Sequence, residues 1–238
     1  MRPAGAGFKT PEKQRLSKIR GGAAGLLAAA LILCAHGAAG QAAPETVEVD
    51  FSNPAIAPSH WALTLHPDGS GHFSSYGGEM PGGNSDLKAP PVNREIHLSQ
   101  EFTRRVFETA YSHKLFNEKC DSHLKVAFQG EKTLRYEGPR GSGSCSFNYS
   151  KDREIQDLSD SMIAVEQTIM EGARLQLLLK HDPLGLDEEM NFLVQAAKDG
   201  RAQQICAIRS ILVELANDPG VLDAVRKRAD LLLHDAKI

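Results

Sequence analysis

The spacing of apolar residues changes once along this chain of 238 residues, near residue 150. Before that point apolar and polar residues alternate in short runs, which is the period-2 pattern of half-buried β-strands. After it, apolar residues recur every three or four positions, as in amphipathic helices. Strands followed by helices predict an α+β fold, in which an antiparallel sheet of five or six strands carries helices on one face and a helical segment follows.

The clearest local pattern is a β-hairpin between residues 61 and 76. Residues 61–65 alternate, His66-Pro67-Asp68-Gly69 has turn chemistry, and a second strand returns over residues 72–76. Proline presets φ, aspartate caps the turn and glycine accepts a positive φ. We expect the core face of this hairpin to carry four side chains, namely Trp61, Leu63, Leu65 and Phe73.

Three more elements are expected on either side of this hairpin. Residues 47–51 alternate as a short strand, and residues 92–98 read as another. Between the hairpin and the second of these strands, residues 77–91 are rich in glycine and proline, which predicts a long mobile loop. A helix is expected over residues 100–114, with Ser99 as its N-cap.

Residues 123–149 contain three further alternating runs. Leu124, Val126 and Phe128 form the first of them, and runs around residues 134–136 and 145–149 follow. A two-residue turn between the first two strands would put their apolar sets on different faces. A three-residue loop over residues 129–131 instead pairs Val126 with Leu134 and Leu124 with Tyr136, so we expect this second register.

Helices are expected throughout the remaining chain. One long helix over residues 151–180 is predicted to pack on the sheet and extend past it; the alternative is a coiled-coil dimer through this helix. Asp187 is expected to cap a helix that ends near Lys198, and Asp218 with Pro219 to begin the last helix. The predicted division is a sheet domain over residues 41–180 and a helical segment over residues 181–238.

The first forty residues have the three parts of a cleavable secretion signal. Six basic residues precede an uncharged apolar run from Ala23 to Ala35, and small residues follow up to Gly40. The apolar run is too short for a comfortable membrane span, which needs roughly 20 residues. We therefore expect export to the periplasm or the medium, with cleavage near Gly40 and no stable membrane span afterwards; an uncleaved N-terminal anchor is the alternative.

Loss of this leader would leave an acidic protein. Lysines and arginines fall from 27 to 21 and aspartates and glutamates from 30 to 29, so the net charge goes from −3 to −8. Nucleic-acid binding needs clustered basic residues, so the charge argues against it. Long-range attraction would favour cations and basic partners instead.

Three cysteines follow the leader. The alternation predicted above puts Cys120 and Cys145 on the same side of the sheet, and an exported protein reaches an oxidising compartment. We therefore expect a disulfide between these two residues. Cys206 stands beside Ile205 on a helix face, where a buried small side chain is expected rather than a reactive thiol.

The hairpin also holds the candidate site residues. His60, His66 and His72 are expected on its non-core face, where imidazoles with Asp68 nearby could bind a transition metal such as Zn²⁺. Their spacing matches no known metal signature, and a solvated polar face is the expected explanation. A candidate contact surface combines the loop at residues 77–91 with four hairpin residues, namely Trp61, His66, His72 and Tyr76.

No catalytic or cofactor motif is present in the sequence. The patterns G-x-S-x-G and H-E-x-x-H do not occur, nor does a P-loop or a glycine-rich loop that opens a helix. The first hypothesis is therefore a non-catalytic exported module that binds a protein or a small ligand. The alternatives are a metal-dependent enzyme or hydrolase using the hairpin histidines, and a structural protein that dimerises through its long helix.

Overall fold

The computed structural model describes residues 44–77 and 91–235. The secretion signal expected over residues 1–40 and nearly all of the loop expected over residues 77–91 lie outside the described residues. Within the two described ranges there are six strands and five helices, with short 3-10 turns between some of them: β1 (Thr46–Ser52), β2 (His60–Leu65), β3 (Ser70–Tyr76), β4 (Val92–His97), α1 (Gln100–Ser112), β5 (Glu131–Gly138), β6 (Gly141–Phe147), α2 (Arg153–His181), α3 (Leu186–Lys198), α4 (Arg209–Asn217) and α5 (Asp223–Asp235).

The strands form one antiparallel sheet in the order β4-β3-β2-β1-β5-β6. The α+β prediction is confirmed, as is the hairpin, in which Leu63 lies opposite Phe73. Trp61 is buried between Phe51 and Phe73, with ring centroids 5.3 and 6.2 Å away. All four residues expected on the hairpin's core face are buried.

Two helices cover the same face of the sheet. Helix α1 begins as expected at Ser99, whose hydroxyl accepts a hydrogen bond from the backbone N–H of Phe102. Helix α2 begins at Asp152, whose carboxylate accepts from two N–H groups of its first turn. Both helices bury apolar side chains against the sheet, so the main core lies between them and the strands.

The C-terminal helices form a second apolar cluster. Helices α3, α4 and α5 pack around Leu193, Leu212 and Val225, and Leu175 of α2 joins them. Helix α2 therefore contributes to both clusters. The predicted boundary at residue 180, between a sheet domain and a helical segment, stays a prediction. Within the described ranges, each helix is too short or too polar to cross a membrane.

The prediction of a strand around Leu124 to Phe128 is wrong. Residues 121–130 form no strand, and Leu124, Val126 and Phe128 are 49%, 40% and 59% exposed. The reason is that both edges of β5 are occupied, by β1 on one side and β6 on the other. Leu134 consequently faces Val49 and Cys145 rather than Val126.

Two helix starts also differ from expectation. Asp187 lies in the first turn of α3, which begins at Leu186, and its carboxylate accepts a hydrogen bond from Arg228 at 2.6 Å. Asp218 and Pro219 precede a turn instead of opening the last helix, since the Asp218 carboxylate accepts from the N–H of Gly220. Helix α5 begins only at Asp223.

The disulfide between Cys120 and Cys145 is confirmed, with the two Cα atoms 5.8 Å apart. Cys145 lies in the edge strand β6, whereas Cys120 follows a short turn rather than belonging to a strand. The crosslink thus fastens the stretch after α1 to one edge of the sheet. Cys206 is a free, partly buried thiol, and burial raises its pKa.

We expect the double change Cys120→Ser and Cys145→Ser to lower the free energy of unfolding by about 3 kcal/mol, because the bond closes a loop of 25 residues. Urea titrations of both proteins under oxidising conditions would measure the difference. The single change Cys206→Ser, which leaves the crosslink intact, is the control. Equal midpoints for the double variant and the control would contradict this expectation.

Candidate functional site

The face of the sheet turned away from α1 and α2 is the candidate functional surface. The helices bury their apolar sides against the other face, so every side chain on this one is at least partly exposed. We call it the open face. Its members are Thr46, Glu48, Asp50, Ser52, His60, Ala62, Thr64, Ser70, His72, Ser74, Tyr76, Asn93, Glu95, His97, Glu131, Thr133, Arg135, Glu137, Ser142, Ser144 and Ser146.

One corner of the open face brings three functional groups together. His60 on β2 lies opposite Tyr76 on β3, and their ring centroids are 4.7 Å apart. The Nε2 atom of His60 lies 2.9 Å from Oδ2 of Asp50 on β1. The Nδ1 atom of His60 is buried and has no hydrogen-bond partner among the described residues. Tyr76 is 58% exposed, so its ring is available to a ligand.

The sheet does not bring the three candidate histidines together. His72 lies opposite Thr64, four residues along β2 from His60, a separation of about 13 Å at ~3.3 Å per residue. Its Nε2 atom is 2.7 Å from the amide oxygen of Asn93, while His66 lies beside the backbone carbonyl of Glu45. No group of three or more potential metal ligands occurs within residues 44–77 and 91–235. The geometry gives the zinc alternative no support.

Trp61 does not belong to the open face. Its side chain is 2% exposed and packs in the core on the opposite side of the sheet. The sequence pattern assigned this residue both to the core and to the contact surface, and the two assignments exclude each other because alternate residues point to opposite faces. Of the four residues expected at the contact surface, His72 and Tyr76 lie on the open face, and His66 lies in the turn just beyond it.

The sequence patterns did not predict a role for the carboxylate of Glu45, which immediately precedes β1. The hydroxyls of Tyr111 on α1 and Tyr136 on β5 both donate to Oε1 of Glu45, at 2.5 and 2.6 Å. Burial alone would raise the pKa of Glu45, but these two hydrogen bonds and the nearby Arg140 hold it below its usual value. The group ties the first strand to a helix and a neighbouring strand, so we assign it a structural role.

A second ionic group joins the end of α1 to the start of α2. Nδ1 of His113 lies 2.8 Å from Glu118, and Nε2 lies 3.1 Å from Glu154. Burial alone would lower the pKa of His113, but these hydrogen bonds raise it above its usual value. Each ring nitrogen lies within hydrogen-bond distance of a carboxylate, an arrangement that favours the protonated ring. The three residues after His113 all have positive φ, a strained arrangement for non-glycine residues, so these contacts hold the chain beside a strained stretch.

The third unusual group is a set of buried carboxylates between α2 and α3. Glu166 is 7% exposed, and burial raises its pKa to about 8. Burial also raises the pKa of Glu171, helped by a hydrogen bond to Glu189 on α3, and Oε2 of Glu171 has no partner among the described residues. Arg174 forms an ion pair with Glu189. The sequence pattern did not predict that these glutamates are buried, because they lie where two helices meet and not on the apolar stripe of one helix.

A groove lies beside α1. It encloses about 720 Å³ between α1 and the hairpin turn, and its lining includes Pro67, Phe107 and Tyr111. Arg104 and Glu108, which also line it, form an exposed ion pair with each other at 3.1 Å. The hydroxyls of Thr103 and Tyr111, also in the lining, donate to the carbonyl of Ser99 and to Glu45. These polar groups are therefore engaged within the fold.

Comparison with known proteins adds no assignment, since no protein-family model matches this chain and no curated protein matches it in sequence. The candidate surface consequently depends on geometry and chemistry alone.

We expect the stability of the protein to fall as the pH rises from 4.5 towards 8. Glu166 has a folded-state pKa near 8 against an ordinary value of 4.5, so its protonated form stabilises the fold fully below pH 4.5, and this contribution is lost as the pH rises through 8. Glu166→Gln should remove much of this slope and raise the free energy of unfolding at pH 8 by on the order of 3 kcal/mol.

Denaturant titrations at pH 5, 6.5 and 8 would measure this slope. Glu188→Gln, at an exposed position in the first turn of α3, is the matched control and should keep it. A Glu166→Gln protein with the same pH dependence as the control would show that this carboxyl is ionised in the folded state.

Proposed function

We propose that this chain is an exported, non-catalytic binding protein whose contact surface is the corner of the open face around Tyr76. The observation that carries the proposal is the exposed Tyr76 ring, which lies against a histidine that is itself held by a carboxylate. An aromatic ring exposed on a polar surface offers contact area with little loss of side-chain entropy, which is why tyrosine is favoured at binding surfaces.

Export is supported by two independent features. The first forty residues have the basic, apolar and small-residue order of a secretion signal. The disulfide between Cys120 and Cys145 is of the kind that persists in oxidising compartments and is rare in the cytosol. We therefore place the mature protein in the periplasm or outside the cell.

The binding role is supported by how the unusual ionisable groups are engaged. Glu45, His113 and Glu189 each bind side chains of neighbouring elements, which explains them as links within the fold. The open face instead carries serine, threonine and histidine side chains that can bond to a ligand. The other two hypotheses have less support, because the histidines stand apart and α2 buries most of its apolar residues within the chain.

A photo-cross-linking amino acid placed at position 76 should form a covalent adduct with one defined molecule in the producing cell. The same amino acid at Leu231, an exposed position on α5, is the control and should not form that adduct. Tryptic mass spectrometry would identify the adduct. Identical adducts at both positions, or none at position 76, would contradict the assignment of the contact surface.

Elemental analysis of the purified protein separates the proposal from the metal-dependent alternative. We expect no stoichiometric metal. One zinc ion per chain that is lost in both His66→Ala and His72→Ala would favour the enzyme hypothesis instead.

A further inference from the structure

The open face carries an excess of negative charge. Five carboxylates point from it, those of Glu48, Asp50, Glu95, Glu131 and Glu137, against the single guanidinium of Arg135. Arg135 is already engaged, since its Nη1 atom lies 3.1 Å from Oε1 of Glu48. With its histidines neutral the face has a net charge of −4, so a cationic partner is attracted and a polyanion is repelled.

The exposed aromatic group on this face favours the same partner. The face of a tyrosine ring attracts the guanidinium or ammonium group of arginine or lysine, and a carboxylate nearby strengthens the attraction. Tyr76 lies against His60, which lies against Asp50. Glu131 stands at the same end of the sheet, opposite Ser52, the neighbour of His60 in the next strand. This end of the open face thus combines a π surface with two carboxylates, and Glu131 lies three strands from Tyr76, about 14 Å at ~4.8 Å per strand.

The dimensions of the face match a short extended peptide. Five spacings between neighbouring strands at ~4.8 Å, and about six residues along each strand at ~3.3 Å, give roughly 24 by 20 Å. An extended segment of roughly 6–7 residues spans the longer of these dimensions.

We propose that the open face docks a basic protein segment, an extended stretch carrying arginine or lysine, with one cationic side chain over the Tyr76 ring. The segment's other cations pair with Glu95, Glu131 and Glu137, which are exposed and lie near the edges of the face. This inference rests on the proposed binding function and specifies the chemistry of the partner.

A fluorescein-labelled peptide of twelve alternating arginine and serine residues is the probe, and fluorescence anisotropy with the purified protein is the measurement. A peptide with glutamate in place of arginine is its control. We expect the basic peptide to bind and the acidic one not to bind. Raising the salt concentration from 0.05 to 0.3 M should weaken binding roughly tenfold, because the contacts are exposed charges.

Charge-matched variants distinguish the face from the net charge of the protein. The triple variant Glu95→Gln, Glu131→Gln and Glu137→Gln should weaken peptide binding at least tenfold. A second triple variant loses the same charge from exposed helical positions and should bind as the parent does: Glu101→Gln, Glu188→Gln and Glu214→Gln. Equal weakening in both variants, or in neither, would overturn the proposal.

Two changes at Tyr76 test the aromatic contact. Tyr76→Phe keeps the π surface and should bind within twofold of the parent, whereas Tyr76→Ala should lose about fivefold. Equal binding by these two variants would remove Tyr76 from the proposal. If the basic peptide fails to bind while position 76 still forms its specific cross-link, the partner is not basic, and the proposed function survives. If both fail, the proposed function falls as well.

Discussion

The packing of α2 is the constraint on which the rest of the structure depends. Its first half completes the core against the sheet, and its second half enters the apolar cluster of the C-terminal helices. Between these halves, Gly172 lies so close to Ile208 that any side chain there would collide with it. The hydroxyl of Thr168 donates to the carbonyl of Gln203 at 2.6 Å. The two clusters are therefore joined by one continuous helix instead of a linker.

This arrangement explains why the other side of the sheet is available for binding. Helix α1 follows the edge strand β4 and helix α2 follows the opposite edge strand β6. Both return over the same face, so one layer of helices buries the apolar side. On the other face of the sheet, the same strands need only polar side chains that tolerate water. Such a surface can change in sequence without loss of the core, and this freedom suits the binding role that we propose for it.

Local periodicity predicted most of the fold, because it reports which face of an element is buried. It placed the hairpin, the cap at Ser99 and the extent of α2. It wrongly predicted a strand at Leu124, because alternation alone does not show that both edges of β5 are occupied. The disulfide was predicted correctly although Cys120 is in no strand. Glu45 and Glu166 were missed, because their importance arises from partners distant in sequence or from burial at a junction.

The stretch over residues 121–130 has a consequence for how the protein can be produced. It alternates apolar side chains as a strand does, yet Leu124, Val126 and Phe128 face the solvent. Its tethers are the bond at Cys120, the hydrogen bond from the N–H of Ser122 to the carbonyl of Tyr149, and the amide of Asn148, which contacts the backbone of Ala127 and Gln129. In a reducing cytosol the covalent tether is absent and hydrogen bonds alone hold the stretch. Because exposed strand-like segments add edge to edge with other molecules, the reduced chain is more prone to aggregate than the chain made in an oxidising compartment.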